Sequence, residues 1–322
     1  MSSTGVREAL MTTTGVPASD GAGVRLTRII GGPKLDLLDP FLLLDCFESD
    51  RPEDYIGGFP DHPHRGFETV TYLLAGRMRH KDNAGNEGVI EPGGVQWMTA
   101  GRGIVHSEMP EQEDGLLRGF QLWVNLPAQA KMTAPGYQEY PPSGVPLEER
   151  ADGTQVRVGA GATSEGTGGV VRNNWVQPTY LDVTLPAGAD FDQPVGRDDT
   201  TFLFVVDGAL TVGGRRASLP RRTLGILSEG DTVRVSSEGG ARFLLVAARP
   251  LREPVARGGP FVMNTKEEVV QAFDDYRHGR TEPVYRLGQR PALGRVLPDR
   301  SIFRGKRYLP IGLIETARGC RF

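Results

Sequence analysis

The feature that most constrains the fold of this chain is a succession of short β-prone runs separated by turn residues. Apolar, β-branched or aromatic runs occupy residues 24–30, 41–44, 69–74, 95–98 and 119–126. Glycine and proline interrupt the chain at intervals of about ten residues. Its 322 residues include 43 glycines and 24 prolines, and this content favours many tight turns over long helices. The pattern predicts an all-β chain folded as an antiparallel sandwich or barrel.

A second β-prone block, over residues 175–250, resembles the first. The sequence TVTYLLAG at 69–76 resembles TTFLFVVDG at 200–208, and LWVNLP at 122–127 resembles LLVAARP at 244–250. We interpret the resemblance as an internal duplication of one barrel.

The duplication divides the chain into two domains with an extension at each end. The first domain is predicted over residues 24–140 and the second over residues 141–280. Residues 1–23 are polar and small, and we expect them to be a flexible lead-in. Residues 281–322 show no clear periodicity and hold nine Lys/Arg against three Asp/Glu. They are predicted to form a basic tail that could be disordered.

One helix is predicted, over residues 265–279 at the end of the second domain. Thr265 and Glu268 have the spacing of a capping box, which satisfies free N–H groups at a helix start. The apolar residues that follow share one helical face, which we expect to pack on a barrel; they are Val269, Ala272, Phe273 and Tyr276.

Charge and cysteine content narrow the function classes. The net charge is −3, and because the tail carries +6 the remainder carries −9, which argues against direct nucleic-acid binding. Two cysteines make no disulfide framework and fit a reducing compartment. The first 30 residues lack the apolar core of a signal peptide, and no apolar run approaches the length of a membrane span. We therefore expect a cytoplasmic protein, nuclear as well if the source is eukaryotic.

Histidines concentrate in one part of the chain: four of the five lie between residues 62 and 108. His62 and His64 are two residues apart, so on a strand their side chains point to the same side. His106 and Glu108 repeat this spacing with a carboxylate. Two such pairs on neighbouring strands would present four ligands to one divalent first-row metal ion and leave two octahedral positions open.

Two other residues compete for a role at this site. Glu68 lies four residues after His64, and a continuous strand would place it on the same face. It could replace Glu108 as the carboxylate ligand. Alternatively, it could hold a ligand imidazole in place by a hydrogen bond. For His80 we expect a surface position or a contact with a ligand rather than ligation. No histidine occurs between His106 and His278, so the second domain is predicted to lack a matching site.

Four segments together resemble the pirin family. They are LDPFLLLDCF (38–47), FPDHPHRGFETVTYLLAGRMRHKDNAG (59–85), EPGGVQWMTAGRGIVHSEMP (91–110) and FQLWVNLP (120–127). The resemblance is dense over residues 24–140 and looser over 141–280, and it does not extend to the tail. It implies a bicupin, in which two cupin barrels lie face to face.

The resemblance also implies the ligands and the metal. Pirins hold iron in the N-terminal cupin through an HxH pair and an HxE pair, which correspond here to His62, His64, His106 and Glu108. This favours Glu108 over Glu68, whereas the general cupin pattern would favour Glu68. Nitrogen and oxygen ligands would also accept manganese, nickel, cobalt, copper or zinc.

The function that the resemblance implies is a quercetin 2,3-dioxygenase. Such an enzyme opens the heterocyclic ring of a flavonol with O₂ and releases carbon monoxide. Glu108 is the candidate proton acceptor, because a carboxylate beside the substrate can act as a base. Trp97, Met98 and Trp123 are hypothesised to wall the pocket, with a plain core role as the alternative.

Two other functions stay open at the level of the sequence. Some pirins are similar to regulators, so the chain could be an iron-dependent, redox-sensing protein that binds transcription factors or metabolic enzymes. A cupin isomerase acting on sugars is the third hypothesis. For every reading we expect a monomer without a membrane partner.

Overall fold

The structure, a computed structural model, describes residues 5–280, which form 23 strands and one α-helix. The first twelve strands are β1 Ala9–Thr13, β2 Val16–Asp20, β3 Val24–Ile30, β4 Phe41–Ser49, β5 Phe59–His64, β6 Phe67–Ala75, β7 Met78–Asp82, β8 Glu87–Ile90, β9 Val95–Thr99, β10 Ile104–Pro110, β11 Leu117–Asn125 and β12 Gly136–Tyr140.

The elements that follow begin with β13 Leu147–Glu149, β14 Gln155–Ala160, β15 Thr179–Leu185, β16 Ala189–Pro194, β17 Thr200–Val212, β18 Ala217–Pro220, β19 Leu224–Leu227, β20 Thr232–Ser237 and β21 Ala241–Ala248. The last are β22 Ala256–Gly258, β23 Phe261–Met263 and helix α1 Lys266–Arg277. The prediction of an all-β fold with one short helix near the end of the second domain is confirmed.

The first barrel consists of two antiparallel sheets. One has the strand order β12-β9-β6-β11-β4-β3-β2, and the other has the order β5-β10-β7-β8. Strand β7 shows why these sequences fold in this way: Met78, His80 and Asp82 are buried, whereas Arg79 and Lys81 between them are exposed. One face of the strand therefore lines the inside of the barrel and the other meets water.

The second barrel repeats the strand order of the first. Its larger sheet runs β1-β19-β17-β21-β15-β14-β13, and the pairs β16–β20, β20–β17 and β17–β18 repeat β5–β10, β10–β7 and β7–β8. Strands β6 and β17 hold equivalent places in this order, as do β11 and β21. These are the strands whose sequences resemble each other, so the topology supports the inferred duplication.

A shared apolar core joins the two barrels. Its cluster of buried side chains draws on strands of both barrels. Phe41 meets Phe202 edge to face at a centroid distance of 5.1 Å, and the Tyr72 hydroxyl donates a hydrogen bond of 2.7 Å to Asp182. Strand β6 is buried on both faces because one face lines the first barrel and the other packs in this core.

The predicted flexible lead-in differs from the structure, in which residues 9–20 form strands. Strand β2 pairs with β3 in the first barrel, whereas β1 pairs with β19 and closes an edge of the second. Arg7 anchors β1 because its buried guanidinium donates to the backbone carbonyls of Gly230 and Ser228, at 2.8 and 2.9 Å. A polar, small-residue composition does not reveal such an edge strand, whose order comes from distant partners.

Helix α1 begins with the capping box that its sequence predicts. The Thr265 side chain accepts from the Glu268 N–H, and the Glu268 side chain accepts from the Thr265 N–H. Val269 and Ala272 are buried, and Phe273 meets Phe261 of strand β23 at 4.9 Å. The helix therefore packs on the β22–β23 hairpin.

Within the part of the chain that the structure describes, no helix has the length and apolar character needed to cross a membrane. The predicted basic tail, residues 281–322, lies outside the described residues.

Candidate metal centre

Three histidine side chains meet on the inner face of the first barrel. His62 and His64 lie on β5, and His106 lies on β10 directly opposite His62 in the antiparallel register. One nitrogen from each ring lies within 4.8 Å of the other two. The three imidazoles could therefore hold one metal ion, and the structure brings together three of the four ligands that the sequence predicts.

The hydrogen bonds of these rings fit a metal site. His62 Nδ1 lies 2.9 Å from the Pro60 carbonyl oxygen, which can only accept, so Nδ1 donates this hydrogen bond and Nε2 is the ring nitrogen left for a metal ion. Among residues 5–280, His64 Nδ1 and both ring nitrogens of His106 find no hydrogen-bond partner. Unpaired buried polar atoms are costly, and a metal ion held by this group would pair one nitrogen of each ring.

Burial sets the protonation state of two of these rings. Burial is the largest cause that lowers the pKa of His64 and of His106 well below 6.5, and the neighbouring histidines lower it further. Both imidazoles are thus neutral near pH 7, which is the form that binds a metal.

Glu108 lies on the same inner face but outside the group of three rings. It is 3% exposed, and strand alternation places it on the side of β10 that holds His106. Its Oε1 accepts from the Thr71 hydroxyl at 2.8 Å, and its Oε2 accepts from Gln121 Nε2 at 3.4 Å. The side chain is therefore held by two polar neighbours on β6 and β11.

Glu68 faces away from the histidines, so the expectation that it shares the face of His64 is wrong. Strand β5 ends at His64 and β6 begins at Phe67, and Gly66 between them has a φ of +88°. The turn breaks the continuous strand that this expectation assumed. Glu68 instead accepts a 2.7 Å hydrogen bond from Thr99 and another from Asn173. Burial raises the pKa of Glu68.

His80 is buried near the site and does not belong to the three-histidine group. It lies opposite Glu108 in the register of β7 and β10. Its Nε2 is 2.6 Å from Oε2 of Glu139, and its ring lies 5.4 Å from that of Tyr137. A carboxylate of the edge strand β12 is thus paired with an imidazole of β7.

The three residues hypothesised to wall the pocket have different places. Trp123 stacks on Phe67 at 4.3 Å and meets the His64 ring edge to face at 5.2 Å. Met98 lies opposite Thr69 and is fully buried. Trp97 packs in the core between the barrels, which is the alternative role considered for it.

The equivalent strands of the second barrel carry no histidine. In the first barrel His106 of β10 lies between His62 and Asp82 on neighbouring strands. In the second barrel β20 takes the place of β10, and its Val235 lies between Phe191 and Val212. Those side chains cannot ligate a metal and are part of the barrel's apolar core.

Thr71 and Gln121 are site residues that sequence reasoning missed. Thr71 Oγ1 lies 2.8 Å from Oε1 of Glu108 and 2.7 Å from Oε1 of Gln121. Neutral polar residues show no sequence spacing that would mark them as part of a metal site. The available signal was strand alternation, which makes both of them polar positions on inward faces of β-prone runs.

Comparisons with known proteins agree with this architecture. The family model Pirin matches residues 23–124, and the model of the pirin C-terminal cupin domain matches residues 180–282. A pirin-like protein of Caulobacter vibrioides is 57% identical over 275 residues, covering 85% of this chain and 99% of the relative. Pirin of Homo sapiens is 46% identical over 269 residues, covering 81% of this chain and 89% of the relative.

A solved structure is similar along most of the chain. The crystal structure of quercetin 2,3-dioxygenase from Acinetobacter baumannii superposes with a TM-score of 0.80 at 33% sequence identity. The match covers 87% of this chain and 100% of that one.

Proposed function

The chain belongs to the pirin family, and from this premise we propose that it is a metal-dependent dioxygenase. It opens the heterocyclic ring of a flavonol such as quercetin with O₂ and releases carbon monoxide. The observation that carries the proposal is the group of three imidazoles inside the first barrel. The name of the similar Acinetobacter baumannii protein supports a flavonol as substrate.

His62, His64 and His106 would hold one divalent ion, with Glu108 as the fourth ligand. Iron is the proposed metal, although nitrogen and oxygen donors also accept manganese, nickel, cobalt, copper or zinc. When bound, the ion supplies Lewis acidity and a fixed point for the hydroxyl oxygen of the substrate.

The protein's own residues would move a proton and exclude water. A carboxylate oxygen of Glu108 accepts the proton of the flavonol hydroxyl, and Thr71 and Gln121 keep the carboxylate in place for that transfer. Phe67 and Trp123 pack beside His64 and keep that side of the site apolar. The flavonol ring system is expected to lie along such apolar surface.

The direct test is turnover by protein loaded anaerobically with one metal at a time. With the native metal, addition of quercetin and O₂ should bleach the visible flavonol band and release one carbon monoxide per flavonol. Metal analysis should give one ion per chain. An absence of turnover with iron, manganese, nickel, cobalt and copper alike would contradict the dioxygenase proposal.

Two variants test the metal ligand His106 and the proton acceptor Glu108. His106→Ala should abolish stoichiometric metal binding, whereas Asp192→Ala is the control because that exposed carboxylate lies on β16 of the second barrel. Glu108→Gln should lower kcat by about 100-fold or more, the range typical of a lost general base. Unchanged metal content in His106→Ala would show the site assignment to be wrong.

A further inference from the structure

After the second barrel the chain returns to the first and packs against the turn that follows His64. We call residues 256–280 the C-terminal clamp; they comprise β22, β23 and α1. The turn is made of Arg65 and Gly66 and separates β5 from β6.

Backbone contacts between the clamp and the turn are close. The Val262 N–H donates to the Arg65 carbonyl at 3.0 Å, and Arg65 forms a parallel bridge with Phe261. A Cβ atom on Gly66 would lie 1.9 Å from the Val262 carbonyl oxygen. Only glycine allows this approach, which also requires the left-handed φ of +88° at Gly66.

A buried lysine joins the turn to the clamp. Lys131 is 1% exposed, and its ammonium donates to the carbonyls of Gly66 and Val262 at 2.8 and 3.1 Å. Its third bond, of 2.6 Å, goes to Asn125 Oδ1. All three N–H donors of the ammonium are therefore used, two of them to hold the clamp and the turn together.

An ion pair connects the turn to helix α1. Arg65 Nη1 lies 2.7 Å from Asp275 Oδ2, and the two side chains are only 6% and 17% exposed. The other oxygen, Asp275 Oδ1, accepts hydrogen bonds of 2.9 Å from Gln271 Nε2 and from Arg280 Nε. Because these donors face it, the pKa of Asp275 lies well below its usual range, so the pair stays ionised at neutral pH.

Apolar packing continues from the clamp to the ligand itself. Val262 is in one buried cluster with Leu42 and Phe67, against which Trp123 packs. Phe67 and Trp123 are the rings that flank His64, at 5.1 and 5.2 Å.

We propose that the C-terminal clamp is a positioning element for the metal ligand His64, acting through the Arg65–Asp275 pair and the Val262–Arg65 backbone contact. By holding the turn after His64, the clamp keeps that imidazole aimed at the other two and slows release of the metal. The inference rests on the metal site of the proposed function, but not on the reaction assigned to it.

The first experiment measures metal release from the intact protein to a chromogenic chelator. Asp275→Ala and Arg65→Ala should each increase the dissociation rate by about 10-fold or more, as loss of groups that orient a ligand typically does. The matched control is Asp192→Ala, which removes a similarly short pair with Arg234 at 2.8 Å in the second barrel. The control should release metal at the wild-type rate.

Two further measurements distinguish positioning of His64 from a purely structural role of the Arg65–Asp275 pair. The double variant should release metal no faster than the faster single one, because both changes break one contact. The urea midpoints of the metal-free variants should stay close to that of the metal-free wild type, whereas their metal affinity should fall. Wild-type release rates in both single variants would overturn the proposal, whereas a wild-type protein without metal would overturn the metal site itself.

Hydrogen exchange tests the coupling without any variant. If the clamp and the metal stabilise each other, metal binding must slow exchange of the Val262 amide, which donates to Arg65. The Val183 amide in the second barrel should exchange at the same rate in both states. Equal exchange at Val262 with and without metal would refute the coupling.

Discussion

At the scale of single residues, burial of the imidazoles makes the metal-free protein sensitive to mild acid. His64 and His106 have pKa values well below 6.5 in the folded state because they are buried. In the unfolded chain they titrate near the ordinary value of about 6.5. Below that pH the unfolded state binds more protons than the folded state, so stability falls as pH falls.

We therefore predict that the free energy of unfolding of the metal-free protein decreases by up to about 1.4 kcal/mol per pH unit for each of these rings below pH 6.5. Urea unfolding between pH 7.5 and 5.5 measures the slope. His106→Asn should reduce the slope by one ring's share. The variant must be compared with the wild type because Glu68, whose pKa is raised by burial, changes the pH dependence of stability with the opposite sign. Parallel profiles for the variant and the wild type would contradict the prediction.

The sequence predicted the histidines of the site better than the carboxylate. Spacing of two residues identified His62, His64 and His106, since alternation along a strand is a local property. Whether Glu68 or Glu108 shares their face depends on where the chain turns. Gly66 ends the strand with a φ of +88° and lies against the carbonyl of Val262, which is distant in sequence, so the spacing of His64 and Glu68 alone does not reveal the turn.

At the scale of elements, strand β1 illustrates how one residue can fix a segment. Arg7 is buried, and besides Gly230 and Ser228 its guanidinium donates to the Asp199 carbonyl at 2.8 Å. These contacts hold the first described strand of the chain in the second barrel.

Arg7→Met should lower the free energy of unfolding by at least about 3 kcal/mol, because several buried carbonyls lose their donor. Metal content should stay unchanged, since β1 belongs to the barrel without the histidines. Urea denaturation and metal analysis provide the measurements. Arg25→Met is the control, because that side chain is 66% exposed. Equal losses in the two variants would argue against an anchoring role for Arg7.

The sequence predicted the elements that have a signal within a few residues, and it missed an element whose partners are distant in sequence. The capping box of Thr265 and Glu268 lies within one turn of chain, and it starts the helix where predicted. Strand β1 has no such signal: it is five residues long and pairs with residues more than 200 positions away. Its order depends on tertiary contacts that composition does not encode.

At the scale of the whole molecule, the shared core predicts that both barrels unfold together. Phe202 of the second barrel packs on Phe41 of the first, and Phe204 on Phe120, at 5.1 and 5.3 Å. Neither barrel can separate without exposing these side chains.

Tryptophan fluorescence and far-UV circular dichroism should therefore give coincident urea transitions. In a Trp175→Phe background, Trp97 and Trp123 report on the first barrel, and circular dichroism reports on both. Phe202→Ala should lower the single midpoint, at a cost of about 3–5 kcal/mol, even in the fluorescence signal of the other barrel. Two separate transitions would show that the barrels are independent.

The sequence shows the duplication. It does not show that each end of the described chain packs on the barrel formed by the other half. The similar runs at 69–76 and 200–208 lie on β6 and β17, which occupy equivalent places in the two sheets. In contrast, β1 joins the later barrel and the C-terminal clamp packs on the earlier one. Such contacts join residues that are distant in sequence and produce no periodic pattern in it.

This crossing has a consequence for biosynthesis. A ribosome releases the histidines and the turn at Gly66 first, but it delivers Val262 and Asp275 only after the whole second barrel. At about 5–20 residues per second, the interval from residue 67 to residue 256 lasts about 10–40 s. During translation the nascent first barrel carries its three histidines without the clamp. If the clamp holds His64 as proposed, firm retention of metal is a property of the finished chain, and loading after synthesis is favoured over capture by a half-made protein.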